Sequence, residues 1–160
     1  MNADFGRDAD LWRFQISFGT AMSDQGFKHV ELTETLIGIF FEVYNELGYG
    51  FLESVYEEAY CLVLTSPGIS FQRQYPVTVS FRGMNVGEFR SDLVVESSVI
   101  IEMKAVQKLD ISHEKQLLNY LRATNFEVGL LLNFGPSAQI RRLALDNARK
   151  TIRRAASSTI

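Results

Sequence analysis

The sequence predicts an α/β fold, a mixed central β-sheet flanked by helices and preceded by a helical hairpin. Apolar residues recur at helical spacing through 33–64, then at period two through 69–81, and a nearly continuous apolar run fills 126–133. Those three periods are what amphipathic helices, a half-buried strand and a strand covered on both faces require. At 160 residues, 46% apolar and 22% charged, the chain can bury one sizeable core but not two.

Taken in order, residues 1–30 are mixed in character and are expected to be an appendage with one short helix at 11–18. A core of 31–147 follows, then a basic tail at 148–160. Thr33 is a good N-cap for a helix whose stripe is Leu36, Phe40, Val43, Tyr44 and Leu47. Gly48-Tyr49-Gly50 stops it, because glycine accepts the left-handed backbone that commonly follows a helix. A second helix at 52–64 is expected to turn Val55, Ala59, Leu62 and Val63 inward, and so short a connection predicts a helical hairpin. Pro67-Gly68 ends it. The strand at 69–81 alternates Phe71, Tyr75, Val77, Val79 and Phe81, and Arg82-Gly83-Met84-Asn85 is a plausible turn. Strands at 93–95 and 99–104 then flank a short polar turn. Ser112 is placed as the cap of a helix reaching Ala123, with Leu117, Leu118 and Leu121 inward. Gly135-Pro136 ends the apolar run, and a short strand at 140–145 with a basic helix after it is expected to close the chain.

A net charge of −3 makes the molecule no polycation, although Arg141, Arg142, Arg149, Lys150, Arg153 and Arg154 crowd the last twenty residues against Asp146 alone. That tail could grip phosphates or be a solubilising end. The single cysteine, Cys61, excludes an internal disulfide and reads as a buried thiol. The first residues lack a basic start followed by an apolar core, and no apolar run is long enough to span a bilayer, so a cytoplasmic protein without a membrane partner is expected. No serine or cysteine stands in a recognisable nucleophile motif.

Chemistry gathers at Asp92, Glu102 and Lys104. Alternation on a strand sends Glu102 and Lys104 to one side and Met103 to the other. Charges closing an apolar strand are costly to desolvate unless they bind something. Two carboxylates and an ammonium would suit a divalent cation and a phosphodiester. A bare Glu-x-Lys arises by chance about as often as not in such a chain, so the triplet alone slightly favours an ordinary ion pair. His113, Gln116 and Tyr120 share one face of the later helix, where His113 alone reads as a helix-start residue. Glu53 opens the second helix, where the helix dipole favours a carboxylate. Glu57 and Glu58 read as solvated charges.

Together, Gly50-x-x-Glu53-x-x-Tyr56, Asp92, Glu102-x-Lys104 and Gln116-x-x-x-Tyr120 resemble the small bacterial GxxExxY proteins of the PD-(D/E)XK nuclease superfamily. The likeness runs from about Leu32 to Asn147, and four motifs in order make it specific. It implies a restriction-endonuclease-like core with nuclease chemistry but no settled substrate, and the leading expectation is a metal-dependent nuclease acting on DNA. Asp92 and Glu102 would be ligands to Mg2+ (or Mn2+), with Glu53 as a third, and Lys104 the catalytic lysine. Gln116, Tyr120, Tyr56 and His113 would meet the nucleic acid or support the site. A non-catalytic binding or assembly module and an RNA-directed nuclease are the alternatives on the same fold. A small acidic nuclease often needs a second copy to clamp its substrate, which points to a homodimer.

Overall fold

Glycine and aromatic residues set the helical hairpin. In the computed structural model, which describes residues 28–150, helix α1 spans Val30–Leu47 and helix α2 Glu53–Thr65. Helix α1 starts earlier than Thr33 suggests: His29 precedes it with φ 57°, and the Thr33 hydroxyl donates to Val30 O at 2.9 Å from within the first turn. Gly48, at φ 67°, ends it as expected. The Tyr60 hydroxyl donates to Leu36 O at 2.7 Å and joins the two helices.

The phase of α2 differs from the expected one. Its buried residues are Tyr56, Glu57, Tyr60, Cys61 and Leu64, while Leu62 is 73% exposed. Aromatics with polar tips take the inner face because their hydroxyls find backbone partners there. Cys61 is buried as expected, and burial pushes its thiol up to about 11.

Five strands follow: β1 Phe71–Phe81, β2 Met84–Val95, β3 Val99–Lys104, β4 Val128–Phe134 and β5 Ala138–Ala144, in that spatial order. All neighbours are antiparallel except β3 and β4, which are parallel and joined through helix α3, Ile111–Ala123. Tight turns make the antiparallel pairs. Arg82-Gly83 and Glu96-Ser97 have positive φ at both central positions, the backbone that matches strand twist. The first is thus a two-residue turn, shorter than the four residues expected.

Helices cover both faces. Helices α1 and α2 pack on Leu93, Ile101, Met103, Leu130 and Leu132, and α3 packs on Val94, Ile100 and Leu131. Every residue of β4 is buried, which explains its unbroken apolar run. Gly129 lets α3 approach, since a Cβ there would lie 2.8 Å from the Leu117 side chain.

Asp110, not Ser112, is the N-cap of α3. After β5 the chain makes a single 3-10 turn, Asn147–Arg149, where a basic helix was expected. Arg141 pairs with Glu114, Arg142 donates to Lys28 O, and Lys150 donates to Thr124 O and Phe126 O. These three cations therefore have partners within the fold. The helix expected at 11–18 and the tail beyond Lys150 lie outside the described residues. Among those described, no helix is long and apolar enough to cross a membrane.

Candidate active site

Strands β2 and β3 part where the charged residues begin. Their ladder ends at Leu93 opposite Ile101, while β2 continues toward Met84 with β1 as its partner. An opening ladder leaves N–H groups that need acceptors. Here the carboxylates accept them: Met103 N–H donates to Asp92 Oδ2 at 2.7 Å, and Asp92 N–H donates to Glu102 Oε1 at 3.2 Å. Each side chain is held by the other's strand, so the two carboxylates sit side by side in the fork.

Strand β1 is irregular at the same level. Pairing skips from Arg73 opposite Leu93 to Tyr75 opposite Ser91, and Gln74 between them has φ 51°. A non-glycine residue in the left-handed region of a strand is strained, and such strain clusters at functional sites. The Gln74 amide donates to Glu57 Oε2 at 3.3 Å.

Electrostatics follow from this enclosure. Glu102 is 3% exposed, and burial, reinforced by the Asp92 charge, pushes its carboxyl up to about 8. Asp92 is also raised, chiefly by burial and then by Glu57, while the Met103 N–H opposes the shift. The charge of Lys104, at the end of β3, favours ionisation of both. Met103 belongs to the cluster under α1 and α2. Alternation therefore puts Glu102 and Lys104 together on the opposite side, which is the α3 face. From α3, Gln116 Nε2 donates to Tyr120 Oη at 3.0 Å. Burial and then the Glu102 charge raise the Tyr120 phenol. With Gln116 as donor, the phenol keeps its own proton to give.

Residues 30–143 match the sequence model of the PD-(D/E)XK nuclease superfamily. The chain belongs to that superfamily. The mixed sheet with flanking helices is its restriction-endonuclease-like fold. The chain is also similar to a solved structure titled "Crystal structure of SSO0001", with 22% identity and a TM-score of 0.49. That match covers 64% of this chain and 55% of the other, so the chain spans about half of that protein's length. No curated protein matches.

Three further expected site residues lie on α2 and α3, two of them with structural partners of their own. Glu53, in the first turn of α2, is exposed, and its charge raises both Asp92 and Glu102. Among the described residues no three His, Cys, Asp or Glu side chains assemble as a metal cage. Tyr56, expected at the substrate, is fully buried. Its hydroxyl donates to Gly48 O at 2.7 Å and accepts from Phe51 N–H at 3.2 Å, and its ring stacks on Phe134 at 4.3 Å. It secures the glycine turn. His113, also expected at the substrate, accepts from Asp110 N–H at 3.0 Å through Nδ1 and completes a capping box.

Other residues around the fork escaped the sequence reading. Glu57 is buried rather than solvated, because Arg73 pairs with it at 2.9 Å. Ser91, next to Asp92, buries a hydroxyl with no partner among the described residues. Asn133 accepts from Val106 N–H and donates to Val106 O, both at 3.0 Å, while Gln139 accepts from Leu109 N–H at 2.8 Å. Together they hold the loop that leaves Lys104. Buried polar groups opposite a loop are the signal, but only tertiary contact makes it readable.

Two adjacent, partly desolvated carboxylates that repel each other suit a hard divalent cation, which takes one or two protein carboxylates and keeps several waters. A bound cation would relieve the repulsion that raises Glu102.

Proposed function

We propose that this chain is a metal-dependent nuclease that hydrolyses phosphodiester bonds of DNA, with Asp92 and Glu102 holding Mg2+ or Mn2+. The observation that carries this reading is the pair of carboxylates fixed in the fork by reciprocal backbone bonds, with Lys104 on the same strand as Glu102. The cation would neutralise phosphate charge and acidify a water. Lys104 orients the attacking water and balances the negative charge that develops on the phosphate oxygens. Gln116 fixes the Tyr120 hydroxyl, which donates toward the acidic pair or a phosphate oxygen. Glu53, at the start of α2, is the proposed third carboxylate toward the cation. The Gly50-x-x-Glu53-x-x-Tyr56 turn supports placing the chain among GxxExxY proteins.

The test uses the full chain with labelled single- and double-stranded DNA and RNA, in magnesium, manganese or chelator, beside Lys104→Ala and Asp92→Asn. Expected is DNA cleavage that chelator abolishes and that each variant lowers by about 100-fold or more. Cleavage persisting in both variants removes the proposed site. Binding without cleavage under every condition makes the chain a binding or assembly module, and cleavage confined to RNA replaces the substrate.

A further inference from the structure

Beyond the fork, β1 and β2 continue as a two-stranded ribbon that turns at Arg82-Gly83. Val77 at its root is buried against the α3 cluster, but Phe89 directly opposite it is 50% exposed, and farther out Phe81, Met84 and Val86 are 60%, 71% and 61% exposed. A lone ribbon is marginally stable in water, and a contiguous exposed apolar patch marks an interaction surface. Arginines are interleaved with these aromatics. The Arg82 guanidinium lies 5.0 Å from the centre of the Phe81 ring, and exposed Arg90 follows Phe89. The one acid of this stretch, Glu88, accepts from Asn85 Nδ2 at 2.8 Å.

The ribbon runs into the site. The Phe89 ring lies 6.2 Å from that of Tyr120, and Asp92 follows three residues later on the same strand. We infer that this ribbon guides a single-stranded nucleic acid toward the fork, with Phe89 and Phe81 stacking on unpaired bases and Arg90 and Arg82 meeting phosphates. The inference rests on the nuclease reading and adds the substrate's strandedness and path. Exposed aromatic faces stack on bases whose own faces are free, which a continuous duplex hides. From Phe89 to Met84 the ribbon extends about 17 Å, the length of about five stacked nucleotides.

The test measures anisotropy of a fluorescein-labelled oligothymidylate, and of a duplex of equal length, with the full chain in chelator so that nothing is cut. The protein variants are Phe89→Ala with Arg90→Ala, and Phe81→Ala with Arg82→Ala at the exposed tip, where folding does not depend on the side chains. Each pair is expected to weaken single-strand binding by about 10-fold or more, with wild-type circular dichroism and with the single strand bound more tightly than the duplex. Unchanged binding in both folded variants overturns the inference, as does tighter binding of the duplex. A shift from dimer to monomer on sedimentation, with binding unaltered, also overturns it and makes the ribbon a contact between copies. The two readings fail separately. Ribbon-dependent binding without cleavage in magnesium or manganese sinks only the nuclease, and cleavage that Lys104→Ala and Asp92→Asn abolish, without ribbon-dependent binding, sinks only the guide.

Discussion

Replacing Glu102 with glutamine should stabilise the metal-free protein at alkaline pH and do little at pH 5. The Glu102 carboxyl titrates at about 8 in the fold against an ordinary 4.5. Between those values the folded chain holds a proton that the unfolded chain has lost, so stability falls as pH rises through that window. At about 1.4 kcal/mol per pH unit the full penalty above pH 8 is about 5 kcal/mol, and water entering the fork reduces it to about 2–3 kcal/mol. Glutamine carries no charge and still offers an oxygen to the Asp92 N–H. Thermal unfolding by circular dichroism in chelator, at pH 5 and pH 9, should show the variant melting about 6–10 °C above wild type at pH 9. At pH 5 the two should nearly coincide. Magnesium at about ten times its Kd should raise wild type by about 1.4 kcal/mol at pH 9, and leave the variant largely unmoved. An equal increment at both pH values, or none at pH 9, would refute the argument that an enclosed charge raises this carboxyl.

Three further substitutions probe the surroundings. Tyr56→Phe leaves Gly48 O and Phe51 N–H without their partner and should cost about 1–3 kcal/mol by urea denaturation; a neutral result would show that water replaces the hydroxyl. Gly135→Ala would bring a Cβ to 2.2 Å from Val106 O, so the melting temperature should drop by about 3–9 °C from a strain of about 1–3 kcal/mol. Ser91→Ala removes a buried hydroxyl with no described partner and should stabilise by up to about 1 kcal/mol. A loss of stability there would mean that the hydroxyl is hydrogen-bonded in solution.

Much of this fold was legible because period, glycine and turn chemistry act locally. The change from helical spacing to alternation at Ile69, the glycines after α1 and the doubly buried β4 all depend on neighbours in sequence. Several misreadings share one cause, a partner far along the chain. Glu57 is buried because Arg73 reaches it from β1, and Tyr56 because Phe134 stacks on it from β4. Arg142 and Lys150 turn inward to backbone carbonyls that the end of the chain cannot reveal. In the site, Asp92, Glu102 and Lys104 were visible as residue types and as a family pattern. The exchange of backbone bonds between Asp92 and Glu102 was not, since it depends on where two strands diverge.

That divergence fixes where the gene can lengthen. The turn at Glu96-Ser97 sets which β2 residue faces which β3 residue, and a one-residue slip would send alternate side chains to the wrong side of the sheet. An inserted codon there would separate the Asp92 carboxylate from the Met103 N–H that holds it. The same codon added at Arg82-Gly83 would extend the ribbon without moving the fork. Length variation among descendants of this chain should therefore collect at the ribbon tip and spare the inner turn.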